Sequence, residues 1–401
     1  MIQAILAAAA FDPETATQAY LSTLNGAARA KSDAYFEGGY WLLLWSTLVA
    51  VLVSWIELHF GWSAKWSAWA QRMTGRPMLR PALYALPYVL VTAALTLPWT
   101  LYTDFFREHQ YGLSNQSFGE WGKEALIALA IQLVMTAIVL IGVFAVIRRS
   151  PKRWWLWGTG VIALFMTIGA VIAPVFIAPL FNDYKPMAAG PMRDQILAMA
   201  HANHVPADNV YVFDASKQSK RISANVSGLG PTIRISLNDN LLNRTSPAEV
   251  KAVMGHELGH YVLNHVVRGL LEICAVLLLV FFLLWWLSPK LLARYGERWG
   301  VFKVSDPAAM PLLIGMLAVL MLLLTPVTNS IVRTSEAEAD AFGLDAAREP
   351  DGFAAVSMKL SEYRKISPAP LEEIVFFDHP SGENRVRRAM EWKARHLAEA
   401  R

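Results

Sequence analysis

Long apolar runs alternate with polar segments along the chain, and six of the runs are long enough to cross a bilayer, which takes about 20 mostly apolar residues. The six predicted spans cover residues 40–56, 83–102, 125–147, 154–181, 270–287 and 309–332. Prolines interrupt the second, fourth and sixth runs. Such kinks are tolerated where neighbouring helices or water satisfy the freed backbone groups. The pattern therefore predicts a bundle of membrane helices that surrounds a cavity.

Two longer polar regions break this pattern. The first begins with a helical pattern, and its alternating runs around Asn225 predict strands joined by a turn at Gly228, Gly230 and Pro231. The second has a helical pattern throughout. We predict a mainly α fold of about six spans with a small α+β unit inserted between the fourth and fifth. The predicted parts of the whole chain are an N-terminal segment (1–39), spans one to four (40–181), the α+β insertion (182–267), spans five and six (268–332) and a C-terminal helical part (333–401).

Composition supports a membrane protein. Hydrophobic residues make up 55% of the chain and charged residues 17%, and the mean hydropathy is +0.33; soluble domains carry roughly 25% charged residues. The net charge of +4 does not indicate nucleic acid, because the basic residues lie in short loops rather than on one stripe. The expected partner is a lipid bilayer. The single cysteine, Cys274, excludes a disulfide framework and a thiolate metal cluster.

Candidate chemistry begins at the end of the α+β insertion, in the sequence HELGH. Residues 246–249 predict a helix start with a capping box. His256 and His260 then lie one turn apart on one helix face. Two imidazoles at this spacing can bind one Zn²⁺, and Glu257 lies beside the metal without ligating it. The motif predicts a hydrolytic zinc site.

A catalytic zinc needs a third protein ligand and an open position for water. The segment that follows the sixth span offers Glu336 and Asp340, at i and i+4 on one helix face. Spacing alone does not decide whether Glu336 is a zinc ligand or a solvated charge. We interpret Glu338, which lies off that face, as a solvated charge, and His265 as a structural residue.

These residues resemble the integral-membrane zinc endopeptidases of the CAAX prenyl protease 1 (a-factor-converting) type, which are gluzincins. The resemblance covers most of the chain from about residue 40 onward. It runs in order through WTLYTDFFREHQYGLSNQS, FIAPLFNDYKPM, SANVSGLGPTIRISLNDNLL, HELGH, RTSEAEADAF and FFDHPSGENR. It implies one Zn²⁺ per chain, a chamber enclosed by the membrane helices, and a peptide or protein substrate that is possibly lipidated.

The resemblance implies that His256, His260 and Glu336 ligate the zinc. Glu257 is then the general base, which takes a proton from the zinc-activated water and passes it to the leaving amine.

Four further residues receive roles from the same resemblance. Asp340 orients a ligand histidine, which fixes the tautomer and ring plane of that imidazole. Arg385 supports the carboxylates of the zinc site, and His379 stabilises the oxyanion. Asn225 holds the substrate backbone. An exposed edge strand beside a metal agrees with this role, because an extended peptide can join such a strand through main-chain hydrogen bonds.

The natural substrate stays open at this point. Eukaryotic members carry an additional N-terminal span and a long insertion before HELGH, and this compact form indicates a protein of the bacterial inner membrane. Prenylated CAAX proteins are eukaryotic substrates, so a quality-control protease without prenyl specificity is equally consistent. A transporter that uses Arg268 and Glu272 within a span, or a chaperone, with structural zinc is an alternative from another class. The intact Glu257 disfavours it.

The side of the membrane that the site faces is also open. Six spans place both termini and both catalytic regions on one side, which the resemblance assigns to the cytoplasm. The short loops on the opposite side hold more Lys and Arg than those on the catalytic side. The positive-inside rule would therefore place the catalytic regions outside the cytoplasm.

Overall fold

The computed structural model describes residues 11–228 and 233–399. Residues 1–10 of the predicted N-terminal segment, and Gly230 and Pro231 of the predicted turn, lie outside the described residues. The helices are α1 (Pro13–Leu21), α2 (Gly26–His59), α3 (Trp62–Met73), α4 (Arg80–Thr100), α5 (Arg107–Gln110), α6 (Phe118–Arg149), α7 (Trp154–Ile172), α8 (Pro191–Ala202), α9 (Asp239–Arg244), α10 (Pro247–Val262), α11 (His265–Trp299), α12 (Met310–Leu323), α13 (Thr325–Ala347), α14 (Pro350–Leu360), α15 (Pro370–Phe376) and α16 (Gly382–Glu399). The strands are β1 (Tyr184–Pro186), β2 (Val210–Phe213), β3 (Ala224–Ser227) and β4 (Arg234–Asn238).

Five of the described helical segments are long and apolar enough to cross a membrane: α2, α4 with its continuation to Gln110, α6, α7 with its continuation to Leu180, and α11. A sixth span is formed by α12 and α13 together, which meet at a bend of 59°. Pro326 lies at the start of α13, where a proline ring cannot continue the regular helix of the preceding turn. The prediction of about six spans is confirmed with this bent pair counted as one.

Apolar side chains cover the outside of the bundle. Leu126 on α6 is 68% exposed and Phe176, which follows α7, is 67% exposed, whereas Tyr84 and Phe144 are fully buried between the helices. Apolar surface of this extent is rare on soluble monomers and is expected where lipid is the solvent.

The polar unit between α7 and α11 is built on a four-stranded sheet in the order β1-β2-β4-β3. The pair β2 and β4 is parallel, and the other pairs are antiparallel. Ile235 and Leu237 of β4 are fully buried in a core shared with α8 and α10. The strands predicted on either side of the turn are β3 and β4, and β3 lies at the edge of the sheet. Strand β1 escapes prediction because three residues that include a lysine and a proline show no alternation.

The C-terminal helices fold back on the polar unit. Helix α13 runs against α10, and α14 and α16 pack beside them. Leu21 of α1 lies in the same apolar cluster as Val386 and Met390 of α16. The N-terminal and C-terminal helices therefore lie on one side of the bundle, together with the polar unit.

Candidate active site

Helix α10 carries the HELGH motif and begins where the sequence predicts. The Ser246 hydroxyl accepts the Glu249 N–H at 3.4 Å, and the Glu249 carboxylate accepts the Ser246 N–H at 2.6 Å. Lys359 of α14 lies 2.7 Å from the same carboxylate. This capping box fixes the first turn of the helix, two turns before His256.

Helices α10 and α13 approach to backbone contact beside the motif. A Cβ atom built on Gly255 would lie 2.8 Å from the carbonyl oxygen of Gly343. One turn further, a Cβ on Gly259 would lie 3.2 Å from the Cα of Ala339. The close approach brings the acidic face of α13 up to the histidines of α10.

Three predicted ligands converge at this contact. Glu336 Oε2 lies 3.2 Å from His256 Nε2, and Glu336 Oε1 lies 3.4 Å from His260 Nε2. The two Nε2 atoms are 3.1 Å apart. One ligand atom from each residue lies within 4.8 Å of the others. Glu336 Oε2 is buried and accepts no hydrogen bond from the described part of the chain. Two imidazole nitrogens and a buried carboxylate oxygen are a donor set that suits a divalent metal ion.

Asp340 and Arg385 lie behind His256. Asp340 is fully buried, and its Oδ1 lies 2.8 Å from His256 Nδ1. Arg385 Nε donates to Asp340 Oδ2 at 3.0 Å. Burial lowers the pKa of His256, but the hydrogen bond to Asp340 and the nearby Glu336 carboxylate outweigh burial and raise the pKa to about 10. The two carboxylates thus favour positive charge at this position.

Glu257 and His379 face a cavity of about 150 Å³, whose wall also includes His256, Glu336 and Arg385. Burial raises the pKa of Glu257, while the nearby histidines oppose this effect. A carboxylate with a raised pKa is a better proton acceptor in neutral solution. His379 Nε2 lies 3.2 Å from Glu336 Oε2, and its Nδ1 lies 2.8 Å from Asp378 Oδ1.

Asn225 lies on β3, in register with Ser236 of β4. The cavity wall includes Ile222, Ser223 and Ala224, but not Asn225 itself. The structure therefore places the edge strand beside the predicted metal ligands, and it places Asn225 one residue beyond the lined part of the cavity.

Sequence reasoning missed a chain of contacts on the other side of His260. His265 Nδ1 lies 3.0 Å from His260 Nδ1, and His265 Nε2 lies 3.1 Å from Glu338 Oε2. Arg268 donates to the same oxygen at 2.6 Å, and to Glu272 at 3.1 Å. Glu338 is 42% exposed, as expected for a solvated charge, but it also lies within hydrogen-bond distance of both His265 and Arg268, which the sequence did not indicate.

Helical spacing gives no signal for this contact. Helix α10 ends at Val262, and Asn264 adopts a left-handed backbone with φ of 55° that starts α11 in a new direction. Five residues beyond His260 in sequence, His265 therefore faces back toward it.

Comparison with known proteins decides the family. Residues 186–393 match the description "Peptidase family M48", and residues 14–183 match "CAAX prenyl protease N-terminal, five membrane helices". The chain belongs to peptidase family M48. It is an integral membrane metalloprotease, and the resemblance found in the sequence is confirmed.

Two relatives illustrate the range of the family. Uncharacterized metalloprotease YhfN of Bacillus subtilis is 29% identical over 349 residues, which cover 86% of this chain and 80% of that protein. CAAX prenyl protease 1 of Saccharomyces cerevisiae is 27% identical over 310 residues, which cover 73% of this chain and 68% of that protein. The fold is similar to the crystal structure of S. mikatae Ste24p, with a TM-score of 0.74, 20% identity and 94% of each chain covered.

Proposed function

We propose that this family member is a zinc endopeptidase in which His256, His260 and Glu336 hold the metal. The observation that carries the proposal is the convergence of two imidazole nitrogens and an unpartnered buried carboxylate oxygen beside a cavity. Three protein ligands with space for water are typical of catalytic zinc, whereas structural zinc has four closed ligands. Family membership also favours a peptidase over the transporter or chaperone alternatives.

The roles of the chain's own groups follow from their positions. When bound, zinc supplies Lewis acidity, which makes water acidic enough to act as a nucleophile near neutral pH. Glu257, with its raised pKa, takes the proton from the attacking water and later delivers it to the leaving amine. His379 donates a hydrogen bond to the oxyanion from Nε2. Its Nδ1–H donates to the Asp378 carboxylate, which fixes that tautomer.

We propose that the substrate is an extended polypeptide associated with the membrane. The edge strand β3 lies next to the cavity and can pair with an extended chain, with Asn225 binding the substrate backbone. A second cavity of about 600 Å³ shares Tyr363 and Arg364 with the first and reaches Tyr40 of α2 and Thr325 of α13. A peptide can thus approach from the membrane bundle. CAAX-type polypeptides and other membrane-associated polypeptides, with or without a lipid, could all approach the site in this way.

The test uses the full chain purified in detergent and loaded with zinc. Three peptides are compared: a farnesylated peptide with a CAAX end, the same peptide without the lipid, and an unstructured membrane-tethered peptide without the CAAX end. We expect phenanthroline-sensitive cleavage of at least one. Preference for the first supports CAAX processing, and equal cleavage of the third supports quality control.

Two variants check the assigned roles. Glu257→Gln should retain zinc and lose about 10²-fold or more of the peptidase rate, because a positioned general base contributes that much. His256→Ala should lose the metal. Normal cleavage by Glu257→Gln would overturn the mechanism, and no cleavage of any peptide by zinc-loaded protein would overturn the peptidase proposal.

A further inference from the structure

The second zinc ligand, His260, has a partner on its far side that differs in kind from the partner of the first. His256 Nδ1 faces the buried Asp340 carboxylate at 2.8 Å, whereas His260 Nδ1 faces the imidazole of His265 at 3.0 Å. We propose that His265 is a positioning residue, which fixes the tautomer and ring plane of His260 through a histidine-to-histidine hydrogen bond. The inference rests on the zinc site proposed above.

The proton positions follow from the ligand role. A neutral imidazole that gives its Nε2 lone pair to a metal must carry its proton on Nδ1. His260 Nδ1 is therefore the donor, and His265 Nδ1, 3.0 Å away, is the acceptor. The proton of His265 then sits on Nε2, which lies 3.1 Å from Glu338 Oε2. Each ring nitrogen in this series of hydrogen bonds is thus either a donor or an acceptor, and the final acceptor is the Glu338 carboxylate.

The hydrogen bonds that begin at His260 end at residues of the membrane helices. Arg268 of α11 donates to Glu338 of α13 at 2.6 Å, which holds the carboxylate that accepts from His265. The side chain of His265 is only 4% exposed, whereas that of Glu338 is 42% exposed. The imidazole that touches His260 is thus shielded from water, and the charges lie at the rim. The contact ties the metal-binding helix α10 to both helices of the membrane hairpin.

The arrangement predicts how zinc binding responds when the acceptor is lost. Partners that hold the far nitrogen of a ligand imidazole are typically worth about 10- to 100-fold in metal affinity. His265→Leu keeps a side chain of similar bulk but removes the acceptor. His265→Asn keeps an acceptor, because the amide oxygen of asparagine lies near the position of histidine Nδ1.

The experiment measures zinc affinity of the full-length variants by chelator competition, and the visible absorption spectrum after Co²⁺ substitution. We expect His265→Leu to bind zinc about 10- to 100-fold more weakly than the wild type, with an altered Co²⁺ spectrum. His265→Asn should recover most of the affinity and a spectrum close to the wild type. Glu272→Gln is the matched control, because Glu272 contacts Arg268 but lies outside the path to His260; its zinc affinity should be unchanged.

A second variant covers the case in which His265→Leu does not fold. Glu338→Ala alters a half-exposed side chain and leaves the buried imidazole of His265 in place, so it disturbs the packing less than His265→Leu does. It leaves the tautomer of His265 unfixed, and we expect a smaller loss of zinc affinity. Wild-type affinity in His265→Leu, or in Glu338→Ala where only that variant folds, would overturn the inference. Equal weakening in His265→Leu and His265→Asn would do so too, since it would show packing alone. Failure of the wild type to bind zinc would instead overturn the metal site itself.

Discussion

Gly343 lies against the backbone of His256: a methyl group on its Cα would come within 2.7 Å of the His256 nitrogen and 3.0 Å of its Cα. No side chain fits between α10 and α13 at this level. Glu336 and Asp340 lie on α13, and their partner histidines lie on α10. The distance between the proposed ligands therefore depends on a residue that contacts neither metal nor substrate.

We expect Gly343→Ala to weaken zinc binding and reduce peptidase activity in parallel. The added methyl group forces the two helices apart and moves Glu336 away from the histidines. Alanine is the better helix former by about 1 kcal/mol, so intrinsic helix propensity predicts the opposite sign. Zinc affinity by chelator competition distinguishes the two effects.

Gly269→Ala provides the control for this prediction. Gly269 lies in α11, and a Cβ atom there would meet nothing within 4 Å. Its zinc affinity should equal that of the wild type. An unchanged affinity in Gly343→Ala as well would show that the helices can separate without loss of the site.

The buried pair of Arg385 and Asp340 gives a second prediction. Arg385→Met leaves the fully buried Asp340 carboxylate without its guanidinium partner. Removing one member of a buried ion pair costs about 3–5 kcal/mol, so we expect a clearly lower Tm together with weaker zinc binding. Thermal scanning in detergent and chelator competition measure the two effects.

Arg387→Met is the matched control on the same helix. Arg387 lies 2.7 Å from Glu383 in an i, i+4 pair and 3.8 Å from Glu14, and the side chains of Arg387 and Glu383 are 40% and 29% exposed, unlike the buried pair of Arg385 and Asp340. Exposed pairs contribute about 0–1 kcal/mol, so the variant should melt near the wild type and keep its zinc. Similar losses in the two variants would contradict a specific role for Arg385.

Sequence patterns predicted those parts of the site whose signal lies within one helix. His256 and His260 are one turn apart on α10, and Glu336 and Asp340 are one turn apart on α13. Helix periodicity places each pair on one face without knowledge of the rest of the fold. Roles for His379 and Arg385 could be predicted only from the family resemblance, because isolated residues in a loop or helix carry no periodic signal.

Contacts between elements were outside the reach of periodicity. The backbone contact at Gly255 and Gly343 depends on how two helices cross, which neither sequence segment specifies alone. His265 follows a left-handed residue, so its direction relative to His260 depends on a turn rather than on helical spacing. Pro326 predicts a bend between α12 and α13, but a proline does not determine that the angle is 59°.

A third prediction concerns His379. As the proposed donor to the oxyanion, it would act only when negative charge develops, so His379→Ala should lower kcat about 10²- to 10³-fold with little change in KM. Zinc affinity should stay at the wild-type level, because His256, His260 and Glu336 are intact. Metal analysis together with steady-state kinetics checks both statements. Loss of zinc would show instead that His379 is a fourth ligand.

A fourth prediction concerns pH and the start of α10. Burial raises the pKa of Glu249, but the hydrogen bonds from Lys359 and Ser246 outweigh it and lower the pKa below its ordinary value. The charged form therefore stabilises the folded state at a pH above the unfolded pKa of about 4.3. This contribution is lost as the pH falls through the lowered pKa of the folded protein.

Glu249→Gln tests this sign, because glutamine has the shape of the protonated acid. We expect the wild type to melt at a higher temperature than Glu249→Gln at pH 7, and the gap to narrow steadily as the pH falls below about 4.3. Glu391→Gln, on the exposed face of α16, should show little gap throughout. A gap for Glu249→Gln that persisted unchanged into acid would mean that the charge on the capping carboxylate is not what stabilises the helix that carries the histidines.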